Sequence, residues 1–356
     1  MSTSSLPTVD WGLAVATAVR LAPTPPRVPR EEAVAAVSEL RAAAVQAQRH
    51  VREHTGLDAP AGASAVAVVD RPGWIRANAA AFEAVLDPMV ERLAAKRRNP
   101  SPLTPAAALL GGVLTGAEAG SLLAFLSGKV LGQFEVFAPG NEAGRLLLVA
   151  PNVVAVEREL EVDPHDFRLW VCLHEETHRV QFGVAPWLRD YLRLELDAFV
   201  DATELDAAAA LRRLWSVLRA VANAVMGRPG PSLIEAVQTP AQRVSLDRVT
   251  AAMSLLEGHA DVVMDDVGPQ VVPSVAQIRE RFQRRRENVS RQDSAIRALL
   301  GMDAKMKQYR DGAIFVRGVL ERVGMAGLNR VWESPATLPT PAELANPAAW
   351  VARVAS

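Results

Sequence analysis

Residues 174–178 read His-Glu-Glu-Thr-His, with two histidines four apart and a glutamate directly after the first. On an α-helix, positions i and i+4 lie on one face. His174 and His178 can therefore offer two imidazole nitrogens to one tetrahedral Zn2+, each at ~2.0–2.1 Å. Glu175 then sits beside the ion, where its carboxylate can take a proton from a water that the metal has made acidic. The chemistry implied is hydrolysis of a polarised carbonyl, with Glu175 as general base.

Such a site needs a third protein ligand. The long metzincin extension would place Gly at 181 and His at 184; Gln181 and Val184 stand there, which excludes that subclass. The other solution is a carboxylate from a later helix. The segment SLLEGHADVVMD carries Glu257 and Asp261, again four apart. Glu257 is the expected third ligand, and Asp261 the expected acceptor of a hydrogen bond from a ligand imidazole, fixing its tautomer. Two other Glu-x-x-x-Asp pairs, Glu83/Asp87 and Glu159/Asp163, precede the histidine helix. Carboxylates inside an apolar run also require partners, because an unpaired buried charge is costly.

A hydrolase of this type needs a donor for the oxyanion, and there are only two tyrosines. Tyr309, in GMDAKMKQYRDGAIFV, is the first candidate, ahead of Tyr191. His259 falls on the far side of the Glu257 helix and reads as a hydrogen-bonded core or rim histidine. His50, His54 and His165 read as surface or capping residues, and Cys172 as a small buried hydrophobe.

These residues must be held by helices. Asp163 is a good N-cap, Pro164 suits the first helical position, and Asp166 adds negative charge to the first turn. Gly183 can end that helix and Pro186 prevents its resumption. Helical periodicity predicts further helices over about 10–22, 30–55, 74–97, 104–132, 187–225, 240–266, 274–286, 292–300, 302–323 and 340–353. Strands are expected at Arg145–Ala150 and, more weakly, Gln133–Phe137, joined as a hairpin through APGN at 138–141. The fold class expected is mainly α with a small β-hairpin or sheet. Residues 1–100 are read as an N-terminal helical region packed on a catalytic unit spanning 101–356.

The bulk composition narrows the function classes. The formal net charge is −1, with 35 arginines against 4 lysines, so nucleic acid is not expected as a partner. The basic run from Arg279 to Arg286 reads as a solvated helix face, with an acidic partner's docking patch as the alternative. One cysteine excludes an internal disulfide and fits a reducing, cytoplasmic location. Ala106–Val130 is the most membrane-like stretch. Its Gly112, Gly116, Gly120, Gly128 and Gly132 recur at multiples of four, as a stripe that lets another backbone approach. With Glu118 mid-span, a buried helix of a soluble protein is preferred to a transmembrane one.

LLLVAPNVVAVERELEVDPHDFRLWVCLHEETHRVQF, SLLEGHADVVMD and GMDAKMKQYRDGAIFV resemble an actinobacterial family of zincin-like proteins. Its members are labelled zinc-dependent metalloproteases or associated with biosynthesis of a deazaflavin coenzyme. The resemblance runs from VDWGLAVATAVRLAP nearly to the end of the chain. It implies a zincin-like metallopeptidase fold with extra helices and a gluzincin-type site, in which His174, Glu175 and His178 match one motif and Glu257 with Asp261 the other. The function expected is a zinc-dependent hydrolase, acting as a metallopeptidase on a peptide or amide bond. The alternative is a catalytically inactive zincin-fold binding or scaffold protein, suggested by an aromatic content of only 5%.

Overall fold

The computed structural model describes residues 9–59, 65–95, 105–202, 239–287 and 302–355. Within them, the chain is mostly helical around a three-stranded sheet. Its elements are α1 (Trp11–Leu21), α2 (Arg30–Thr55), β1 (Ala65–Val69), α3 (Arg71–Ala95), α4 (Pro105–Ser127), β2 (Gly132–Glu135) and β3 (Arg145–Val149). There follow α5 (Ala150–Glu159), α6 (Pro164–Val184), α7 (Trp187–Asp201), α8 (Pro240–Val271), α9 (Val275–Glu287) and α10 (Met302–Leu328). Two short 3-10 turns and the helices α11 (Pro341–Leu344) and α12 (Pro347–Val354) end the fold.

The sheet order is β1-β3-β2, with β1 parallel and β2 antiparallel to β3. The hairpin expected from the sequence is present as β2–β3. β3 is the central strand, with β1 and β2 at the two edges. After Arg145, β3 runs as the unbroken apolar stretch Leu146–Val149, and both of its faces are covered. Leu146 and Leu148 enter the larger core with α2, α5, α6, α8 and α10, whereas Leu147 and Val149 enter a second core with α1, α3 and α4. Period-two alternation along one strand thus divides the hydrophobic interior in two.

The glycine stripe of α4 packs against α1. A Cβ on Gly116 would lie 2.8 Å from the Asp10 carbonyl oxygen, and one on Gly120 would lie 2.6 Å from that of Ala14. No helix among the described residues is long and apolar enough to cross a membrane. α4 stops at Ser127 rather than near 132, so Gly132 belongs to β2, with consequences for the site. The predicted helix over 340–353 is divided at Asn346–Pro347, where Pro347 opens α12. The expected helix at 292–300, and the 203–225 part of the expected 187–225 helix, lie outside the described residues.

Arg279, Arg281, Arg284 and Arg285 of α9 are engaged within the chain. Arg281 donates to the Leu160 and Glu161 carbonyls, Arg285 pairs with Glu159, Arg284 with Glu280, and Arg279 with Asp265. This helix therefore ties itself to the turn before α6.

Candidate metal centre

α6 begins as its sequence dictates. The Asp163 carboxylate accepts from Asp166 N–H at 3.0 Å and Pro164 occupies the first turn. A buried charge network anchors the same helix: Arg168 makes two hydrogen bonds to Glu157 on α5, at 3.0 and 2.6 Å, and reaches Glu39 on α2. The last turn closes with Ala185 N–H donating to the Gln181 carbonyl at 3.1 Å.

His174 and His178 share one face of α6, with Nε2 atoms 3.2 Å apart. α8 crosses α6 and brings Glu257 over that face. Its Oε2 lies 3.5 Å from His174 Nε2 and 3.8 Å from His178 Nε2. A tetrahedral zinc with bonds of ~2.0–2.1 Å holds its donors about 3.3 Å from one another. The observed triangle brackets that spacing, and its donor set of two imidazoles and a carboxylate is that of an open hydrolytic zinc site. These three residues are the one group among the described residues whose donor atoms converge in this way.

The electrostatics follow from burial and proximity. Burial alone would lower the His174 pKa. The Glu257 carboxylate, aided by the charges of Glu175 and Asp261, overrides it and raises the value to about 9. His178 goes the other way, lowered by burial and by the His174 charge against the pull of Glu257. Glu175 is 7% exposed, and burial pushes its carboxyl up to about 7, with Glu257 and Glu176 reinforcing and His174 opposing. A carboxylate tuned there is suited to taking and returning a proton near neutral pH.

Glu175 also has a neighbour that sequence reasoning assigned elsewhere. A Cβ on Gly132 would lie 2.5 Å from Glu175 Cγ and 2.8 Å from its Oε1. Glycine at the first residue of this strand leaves room for the Glu175 side chain in its present position, and a larger residue would displace it. Gln133 fixes the strand there, accepting from Trp74 Nε1 at 2.8 Å and donating to Asn78 Oδ1 at 2.9 Å.

The other expected residues are distributed unevenly. Asp261 acts on His174 through its charge, while the atom facing His174 Nδ1 is Met264 Sδ, 3.2 Å away. His259 is 1% exposed and is a core histidine, held by Gln181 and packed edge-on against Trp332. Tyr191 packs edge-on against Trp187 on α7. The side chain of Tyr309 lies outside the described residues. Its helix, α10, meets α8 at Gly312 and Gly258, where a Cβ on Gly312 would lie 1.8 Å from the Ser254 carbonyl oxygen. That contact is three residues beyond Tyr309 and one beyond Glu257.

Residues 9–351 match the family described as zincin-like metallopeptidase. Among solved structures, a candidate hydrolase with a novel fold from Chloroflexus aurantiacus is similar at 29% identity and a TM-score of 0.68, over 97% of this chain and 98% of that one. No curated protein matches the chain.

Proposed function

Because the chain belongs to the zincin-like metallopeptidase family, we propose that it is a zinc-dependent peptidase whose metal is held by His174, His178 and Glu257 and whose general base is Glu175. The observation that carries this reading is the convergence of the three donor atoms, with their 3.2, 3.5 and 3.8 Å separations, beside the buried carboxyl of Glu175.

When bound, zinc supplies Lewis acidity that polarises a scissile carbonyl and acidifies water. The remaining work falls to the chain itself. Glu175 takes the proton of the attacking water and returns it to the leaving amine. β2, a sheet edge bordering Glu175, is the strand to which an extended peptide can add by backbone pairing. Tyr309, on the helix packed beside the Glu257 turn, is the proposed donor to the oxyanion.

Glu175→Gln tests the mechanism. The variant should retain zinc and lose hydrolysis of any peptide that the wild type cleaves. A zinc-loaded Glu175→Gln protein with full activity would remove Glu175 from the chemistry. A wild type that binds zinc but cleaves nothing in a broad peptide library would favour a binding or scaffold role.

A further inference from the structure

Gln181 belongs to neither zinc motif, yet it is fully buried against the metal ligands. It lies on α6 three residues after His178, and His178 Nδ1 is 2.9 Å from its Oε1. Its Nε2 is 2.9 Å from two atoms of α8, the Leu256 carbonyl oxygen and His259 Nδ1. One amide therefore joins the second histidine of the motif to the turn of α8 that carries Glu257.

The hydrogen-bonding roles in this cluster are fixed by elimination. The Leu256 carbonyl can only accept, so the atom facing it must be the amide nitrogen. A flipped amide would set oxygen against oxygen. With Nε2 directed at Leu256 and His259, Oε1 must face His178, and it too can only accept. His178 Nδ1 must then carry the ring proton, which leaves the Nε2 lone pair for the metal. That is the nitrogen directed at Glu257 and His174. The two amide protons have two acceptors, so the donors of Gln181 are both used.

We infer that Gln181 is the positioning residue of this site: it fixes the tautomer and ring orientation of His178 and sets the spacing between His178 and Glu257. The inference rests on the zinc site proposed above. Among the described residues, His174 Nδ1 faces the Met264 thioether, a weak acceptor. The two histidines are thus held by different means, and the stronger constraint falls on His178. Outer partners of this kind typically contribute 10–100-fold in metal affinity.

The test measures zinc affinity by competition with a chromophoric chelator, in the wild type and Gln181→Met. The ring tautomer of His178 is read in parallel from long-range 1H–15N spectra of the zinc-loaded protein. Gln181→Met keeps the volume but removes both the acceptor and the donors, and should weaken zinc binding about 10–100-fold. In the wild type, His178 should show its proton on Nδ1, a measurement that stands even if Gln181→Met does not fold.

The inference is overturned by a folded Gln181→Met that binds zinc as tightly as the wild type. It is also overturned by wild-type His178 protonated on Nε2. A wild type that binds no zinc at all would instead refute the site itself.

Discussion

Adding one methyl group at Gly132 should sharply lower the proposed peptidase activity while leaving the proposed zinc ligands in place. The Cβ of Gly132→Ala would lie 2.5 Å from Glu175 Cγ and 2.7 Å from its Cδ. Non-bonded carbons rest ~3.5–4.0 Å apart, so the overlap is about 1 Å. The strand has little room to yield. Gly132 is registered against Leu148, and the next residue is bonded to Trp74 and Asn78. Glu175 must therefore move by about 1 Å, a displacement that costs on the order of 100-fold in rate when it misplaces a reacting group. The overpacking itself should cost ~1–3 kcal/mol of stability. The assay is kcat/KM on a fluorogenic peptide that the wild type cleaves, with zinc content and Tm measured on the same preparation. The expected result is a rate about 100-fold lower at unchanged zinc stoichiometry. A folded, zinc-loaded Gly132→Ala with the wild-type rate would refute the placement of Glu175 against β2.

Two further perturbations probe the frame. Gly312→Ala would set a Cβ 1.8 Å from the Ser254 carbonyl oxygen, forcing α8 and α10 apart beside Glu257. Both Tm and zinc affinity should fall, and a variant unchanged in both would contradict that close crossing. At the C-terminal end, Arg353 grips Glu343 through two bonds of 2.7 and 2.8 Å. Those bonds lower the Glu343 pKa, assisted by Thr340 and opposed by burial. A depressed carboxylate stabilises the fold fully above its unfolded value, here 4.5, and that contribution is lost as pH falls through the folded one. Arg353 is 39% exposed, so Arg353→Gln should cost no more than roughly 1 kcal/mol at pH 7. Chemical denaturation should show the difference from wild type shrinking below about pH 4.5; a difference constant down to pH 3 would exclude this linkage.

Much of the site was legible because its chemistry is local. The spacing of His174 and His178, the Asp163 cap and Pro164 all act within one helix, and the structure forms that helix as expected. Glu257 was reached by asking which downstream carboxylate lay in an apolar run that demanded a partner. What escaped the sequence depends on non-local approach. Gly132 was grouped with a helical glycine stripe because its spacing fits, but α4 ends at Ser127 and the space opposite Gly132 belongs to Glu175. Gln181 served only to exclude a subclass, since its partners lie on α8, beyond the reach of any local pattern. β1 is short and rich in alanine, a weak signal that becomes a strand only by pairing with β3. Pro151, two residues after the end of β3, is the first-turn proline that starts α5 without a break.

The measurement that bears most directly on the zinc site is elemental analysis of the purified, untagged protein beside Glu257→Ala. One zinc per chain in the wild type and marked loss in the variant is the expected result. No zinc in the wild type after reconstitution, or full retention in Glu257→Ala, would contradict the three-ligand centre.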